Sequence, residues 1–112
     1  MRSHGAVASK ELGKDVVAAV WADWRTAPVS ERIRAMLGFL EAMCQRPDQL
    51  GPQDVLPLRA AGLSRPDIED AVYVCAAFLV ITRVADALEF HVPGEAELDR
   101  AAEGMLARGY EM

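Results

Sequence analysis

The stretch Ser64–Phe90 decides the fold, and it reads SRPDIEDAVYVCAAFLVITRVADALEF. Ser64 is a preferred residue at a helix N-cap, and Asp67 follows three positions later, as in a capping box. A run of 12 residues without a charge then extends from Ala71 to Thr82. Because such a helix is apolar on every side, the sequence predicts that it is buried on every side, by neighbouring helices or by a second subunit.

Apolar residues continue at helical spacing on both sides of this stretch. Capping and helix-breaking residues divide the flanking sequence into four further predicted helices: one through Val17–Trp24, one after Ser30, one from Pro52 to Gly62 and one after Gly94. The tryptophans of the first of these are predicted to be core residues. No segment alternates as a strand would, so the sequence predicts an all-α single domain, residues 1–112, of about five helices.

The composition is rich in apolar residues, which make up 52% of the 112 positions. That is more than a small monomer can bury, so it favours a homo-oligomer with the Ser64–Phe90 helix as the subunit contact. The net charge is -5 and the basic residues are scattered, which argues against nucleic acid as a partner. The uncharged run is shorter than the roughly 20 residues of a membrane span, and no signal-peptide pattern is present. We therefore expect a cytoplasmic protein with no membrane partner.

Few side chains suggest chemistry. Cys44 and Cys75 match no zinc-binding spacing and lie in apolar helical runs, so we expect two buried, reduced thiols rather than a structural disulfide. The two histidines, His4 and His91, have no cysteine or histidine at metal-ligand spacing. The sequence therefore predicts neither a metal site nor a cofactor.

Three segments resemble the alkylhydroperoxidase-like (AhpD-like) superfamily, which includes the carboxymuconolactone decarboxylases. The segment LRAAGLSRPDIEDAVYVCAAFLVITRVADALEF, Leu58–Phe90, resembles the second half of the AhpD-like fold. The segment ADWRTAPVSERIRAMLGFLEAMC, Ala22–Cys44, resembles the peroxidase-related branch of the superfamily, and so does the closing LARGY, Leu106–Tyr110. The resemblance implies an AhpD-like helical domain over most of the chain.

The resemblance also has departures. This chain has Leu79 and Thr82 where the family commonly has asparagine, and Glu89 where it often has glycine. These changes remove polar groups within the long helix and a helix-ending glycine. They leave the helical pattern intact.

In the peroxidase members of this family the site is a glutamate followed by C-x-x-C-x-x-x-H, whose cysteines reduce a peroxide and form a disulfide. The stretch Ser3–Ala8 resembles the end of that motif, so His4 corresponds to the family histidine. On that match the second cysteine would fall one position before Met1. The resemblance therefore implies a truncated or inactive homologue, which lacks the N-terminal catalytic helix with its redox centre and keeps His4 as a remnant of the site.

Two alternatives stay open, so the sequence leaves undecided whether the chain is an enzyme. One is a non-catalytic, oligomeric binding or scaffold module, which binds an apolar ligand or a partner that supplies the missing helix. The other is a lyase resembling the carboxymuconolactone decarboxylases, which work without the redox cysteines. In that case Arg83 and His91 are the candidates for holding an anionic lactone.

Overall fold

The computed structural model describes residues 2–109, with side chains described from His4 onward, and no strand occurs among them. The described residues form six α-helices, α1 (Arg2–Leu12), α2 (Lys14–Asp23), α3 (Glu31–Gln45), α4 (Pro52–Ala60), α5 (Arg65–Ala87) and α6 (Glu95–Arg108), and a short 3-10 helix, Pro47–Gln49. The predicted all-α class is confirmed. The helix beyond the five predicted from the sequence is α1. It is separate from α2 because Gly13, with a φ of 94°, ends the helical conformation between them.

The chain divides into two compact units. Unit 1 is formed by the residues up to Ala27 and those from Ala85 onward, and it contains α1, α2 and α6. In unit 1, α1 packs against both α2 and α6. Lys10 Nζ of α1 lies 2.8 Å from Glu103 Oε1 of α6. This salt bridge joins residues of two helices that are 93 positions apart in the sequence.

Unit 2 comprises Pro28–Val84 and contains α3, the 3-10 helix, α4 and most of α5. Its core is centred on Leu58, which is completely buried, together with the buried Leu63 and Ile68. Partly buried apolar side chains from α3, α4 and α5 pack against these three: Met36, Phe39, Val55 and Val72. The core of unit 2 therefore lies where α4, the turn after it and one side of α5 meet α3.

Local capping signals in the sequence correspond to helix ends in unit 2. Ser30 is the N-cap of α3, and its hydroxyl accepts a hydrogen bond from the Ile33 N–H. Pro52 is the first residue of α4, where its missing N–H costs nothing. Gly62 follows α4 with a φ of 81°, a left-handed conformation that glycine adopts without strain. These predicted helix limits are confirmed.

The start of α5 is a complete capping box. The Ser64 N–H donates to Asp67 Oδ2 at 2.7 Å, and the Asp67 N–H donates to Ser64 Oγ at 3.3 Å. The Arg32 guanidinium of α3 lies 3.4 Å from the same carboxylate oxygen. The hydrogen bonds from Ser64, and then the charge of Arg32, hold the pKa of Asp67 below its usual value. The box therefore ties the first turn of α5 to α3.

With Asp67→Asn, the free energy of unfolding is expected to fall less steeply as the pH is lowered through the acid range. The pKa of Asp67 is lower in the folded chain than in the unfolded chain, where it is about 4. The ionised carboxylate therefore stabilises the fold fully at pH values above the pKa of the unfolded chain. As the pH falls from the pKa of the unfolded chain to that of the folded chain, the unfolded state binds the proton more readily. The stabilisation by the carboxylate is lost over this range.

Urea denaturation of both forms across the acid range measures this difference. Asp70→Asn is the matched control, because it removes a carboxylate from α5 that lies outside the capping box. Equal slopes for Asp67→Asn and the wild-type protein would contradict the assignment.

The predicted long helix is confirmed as Arg65–Ala87, ending three residues before the predicted Phe90. Neighbouring helices of the same chain do not cover it on every side, and its coverage by a second subunit stays a prediction. Ile68 is its buried residue, while Val72, Cys75 and Leu79 are half-buried along the same face. A helix is buried on every side only when neighbours surround it, and the core of unit 2 covers one face of α5. None of the described helices combines the length and the apolar character needed to cross a bilayer.

Candidate functional site

The outer face of α5 is an exposed apolar surface. We define it by six residues that repeat at helical spacing on the side opposite the core: Tyr73, Val74, Ala77, Val80, Ile81 and Val84. Tyr73 is 72% exposed, and Ile81 is 60% exposed. No charged residue falls between Asp70 and Arg83. A continuous apolar surface of this kind marks an interaction site more often than a solvated face.

The two cysteines come together in unit 2. Cys44 Sγ in α3 and Cys75 Sγ in α5 are 3.8 Å apart. The prediction of two buried thiols is wrong, because Cys44 is exposed in the last turn of α3 while Cys75 is partly covered. Burial, and then the neighbouring Cys44 thiol, raise the pKa of Cys75. The pair therefore consists of one accessible and one partly covered thiol.

A cavity of about 500 Å³ lies in unit 1, between α1, α2 and α6. Apolar residues such as Val17 and Leu98 line it, together with the charged Lys14 and Asp99. The indole of Trp21 also lines this cavity and is 63% exposed. The prediction that Trp21 is a core residue is therefore wrong. Its ring approaches α1 where Gly5 has no side chain, since a Cβ there would lie 2.6 Å from the indole.

The residues named from the sequence are distributed over the two units. His4 is an exposed residue of α1 in unit 1, whereas Cys44 and Cys75 belong to unit 2. Arg83, in unit 2, donates to the carbonyl of Leu79 one turn earlier in α5 at 3.4 Å. His91 lies in the loop between α5 and α6, in unit 1.

No group of three or more histidine, cysteine or acidic side chains that could hold a metal ion occurs among the described residues. Sequence reasoning missed the cysteine pair, because thiols 31 positions apart carry no spacing signal. Comparison of the chain with protein-family models and with curated proteins gave no match.

Proposed function

We propose that this protein is a homo-oligomeric helical binding module, in which the outer face of α5 forms the contact between copies. The observation that carries the proposal is the exposed apolar character of that face, with residues such as Tyr73, Val80 and Ile81 more than half exposed. Burying a valine, isoleucine or aromatic side chain contributes about 1.5–3 kcal/mol. Covering this face with a second copy would therefore remove a large unfavourable surface from water.

The spacing within the outer face suits a two-fold pairing with itself. In an antiparallel pair centred on Ala77, Tyr73 of one copy would lie opposite Ile81 of the other, and Val74 opposite Val80. The small side chain at the centre would let the two helices approach closely, with larger side chains packing on both sides of it. A two-fold interface uses the same surface on both subunits, so this self-complementary order favours a second copy as the occupant.

The proposal extends the resemblance to AhpD-like proteins without their peroxide chemistry. The sequence contains no C-x-x-C motif, and its two cysteines lie on different helices. We therefore propose a homologue of that helical type that acts by association.

Glutamate substitutions on the two faces of α5 should have different consequences. Ala77→Glu or Ile81→Glu is expected to reduce the oligomer to a folded monomer, because both residues are exposed in the single chain. Leu79→Glu is expected to unfold unit 2, because Leu79 is half-buried on the inner face. Light scattering after size-exclusion chromatography gives the mass, and far-ultraviolet circular dichroism gives the helix content.

The matched control is Leu56→Glu, which places the same charge on a residue of α4 that is 65% exposed and lies outside the outer face. It should keep the mass of the wild-type oligomer. A wild-type chain that is monomeric up to millimolar concentration would overturn the proposal. An unchanged mass for both Ala77→Glu and Ile81→Glu would show that another surface holds the oligomer together.

A further inference from the structure

The thiols of Cys44 and Cys75 are held near one another by the packing of unit 2. Near the start of both helices, Arg32 of α3 meets Asp67 of α5 at 3.4 Å. Further along both helices, the two sulfur atoms lie 3.8 Å apart. Between these contacts Met36 and Phe39 of α3 pack on the same buried cluster as α5. The Arg32–Asp67 contact and the shared apolar cluster therefore hold α3 and α5 in the register that brings the two cysteines together.

We propose that Cys44 and Cys75 form a reversible dithiol–disulfide site that reacts with low-molecular-weight disulfides. The two sulfur atoms are 3.8 Å apart and need to approach by roughly 1.8 Å to reach the ~2.05 Å of a disulfide bond. This inference concerns contacts within unit 2 and does not depend on the proposed self-association. Cys75 lies on the inner face of α5, away from the surface proposed to contact a second copy.

The reaction takes place in two exchange steps. The thiolate of Cys44 attacks one sulfur of the small disulfide RSSR, forms a mixed disulfide and releases the first RS⁻, which takes up a proton as RSH. The thiolate of Cys75 then attacks Cys44 Sγ, forms the intramolecular disulfide and releases the second RS⁻. In the balance, two protein thiols lose two electrons and two protons, and RSSR is reduced to two RSH.

The different environments of the two thiols determine their order of reaction. Cys44 is exposed, so an incoming disulfide can reach it from solvent. Cys75 is partly covered, and burial and the neighbouring Cys44 thiol raise its pKa, which makes it the less favoured thiol for the first attack. Cys44 is therefore the attacking residue and Cys75 the residue that resolves the mixed disulfide.

Oxidised glutathione is the probe, and intact mass under denaturing conditions is the measurement. The reduced full chain should lose the mass of two hydrogens and should no longer be alkylated by N-ethylmaleimide. Dithiothreitol should restore two alkylation sites. Cys75→Ser should stop at the mixed disulfide and gain one glutathionyl group, whereas Cys44→Ser should react at least about tenfold more slowly, because its remaining thiol is partly covered.

Two comparisons test whether the native packing creates the site. In the folded chain the equilibrium with glutathione should favour the disulfide at least about tenfold more than in urea, because packing raises the effective concentration of one thiol at the other. Circular dichroism should show that both serine variants keep the helix content of the wild type.

Three results would overturn the proposal. One is accumulation of glutathione adducts on the folded wild-type chain without an internal disulfide. Another is a disulfide between Cys44 residues of two chains as the main product. The third is an equal tendency to form the internal disulfide in the folded chain and in urea.

Discussion

Replacing Leu58 with alanine is expected to lower the free energy of unfolding by about 3–5 kcal/mol. Leu58 is completely buried, and it packs with Leu63 and Ile68 at the centre of unit 2. Truncating the side chain loses the transfer free energy of the buried atoms. It also leaves a cavity, which the surrounding helices fill poorly because capping interactions fix their ends. A loss of this size is a large fraction of the total stability of a domain of this length.

Leu56→Ala is the matched control for this substitution. It makes the same chemical change two positions earlier in α4, at a side chain that is 65% exposed. Its effect should stay within about 0.5 kcal/mol. Urea denaturation followed by circular dichroism measures both values. Similar losses for the two variants would mean that the core of unit 2 is not centred on Leu58.

Oxidation of the Cys44–Cys75 pair is expected to raise the free energy of unfolding by about 3–4 kcal/mol. The two residues are 31 positions apart, so a bond between them would close a long loop and restrict the unfolded chain. It would also fasten the end of α3 to the middle of α5. Denaturation with and without dithiothreitol, on samples whose thiol state has been verified by mass, measures the difference.

Cys44→Ser provides the control for this experiment, because its stability should be the same with and without the reductant. If the oxidised wild type were no more stable than the reduced form, the disulfide would have to strain the native packing by an amount that offsets the entropy of loop closure. In that case the stability prediction would fail while the redox proposal could still hold, because the mass measurement detects the disulfide independently of stability.

The parts of the fold that could be predicted from the sequence depend on interactions between near neighbours. Ser30 caps α3 and the Ser64–Asp67 pair caps α5, because each of these hydrogen bonds joins residues three positions apart. Gly62 ends the turn after α4 because few other residues adopt a positive φ without strain. Such signals are contained in a few consecutive residues, so they can be recognised without knowledge of the tertiary structure.

Features that depend on distant residues were predicted wrongly or missed. The uncharged run in α5 indicated a helix correctly, but which sides of it are covered depends on how many helices surround it. The exposure of Cys44 depends on its position in the last turn of α3, and its proximity to Cys75 depends on the packing of two helices. Hydrophobic periodicity does not distinguish a face that meets the core from one that meets a partner.

The candidate site was therefore the least predictable part of the molecule. The resemblance to the AhpD-like family implied a site at His4 and at a C-x-x-C motif, which Cys44 and Cys75 do not form. The structure instead brings together Cys44 and Cys75, which the family motif does not include. Membership of the family stays a prediction. The two proposed sites, the outer face of α5 and the cysteine pair, are inferred from the exposure and the contacts of residues in this chain.

The division of the chain also has a consequence for its synthesis on the ribosome. Unit 1 is discontinuous in the sequence, because α1 and α2 precede unit 2 whereas α6, on which α1 packs, follows it. Unit 2 is continuous, so all of its residues have been synthesised before α6 appears. The nascent chain can therefore form the core around Leu58 while α1 still lacks one of the helices it packs against.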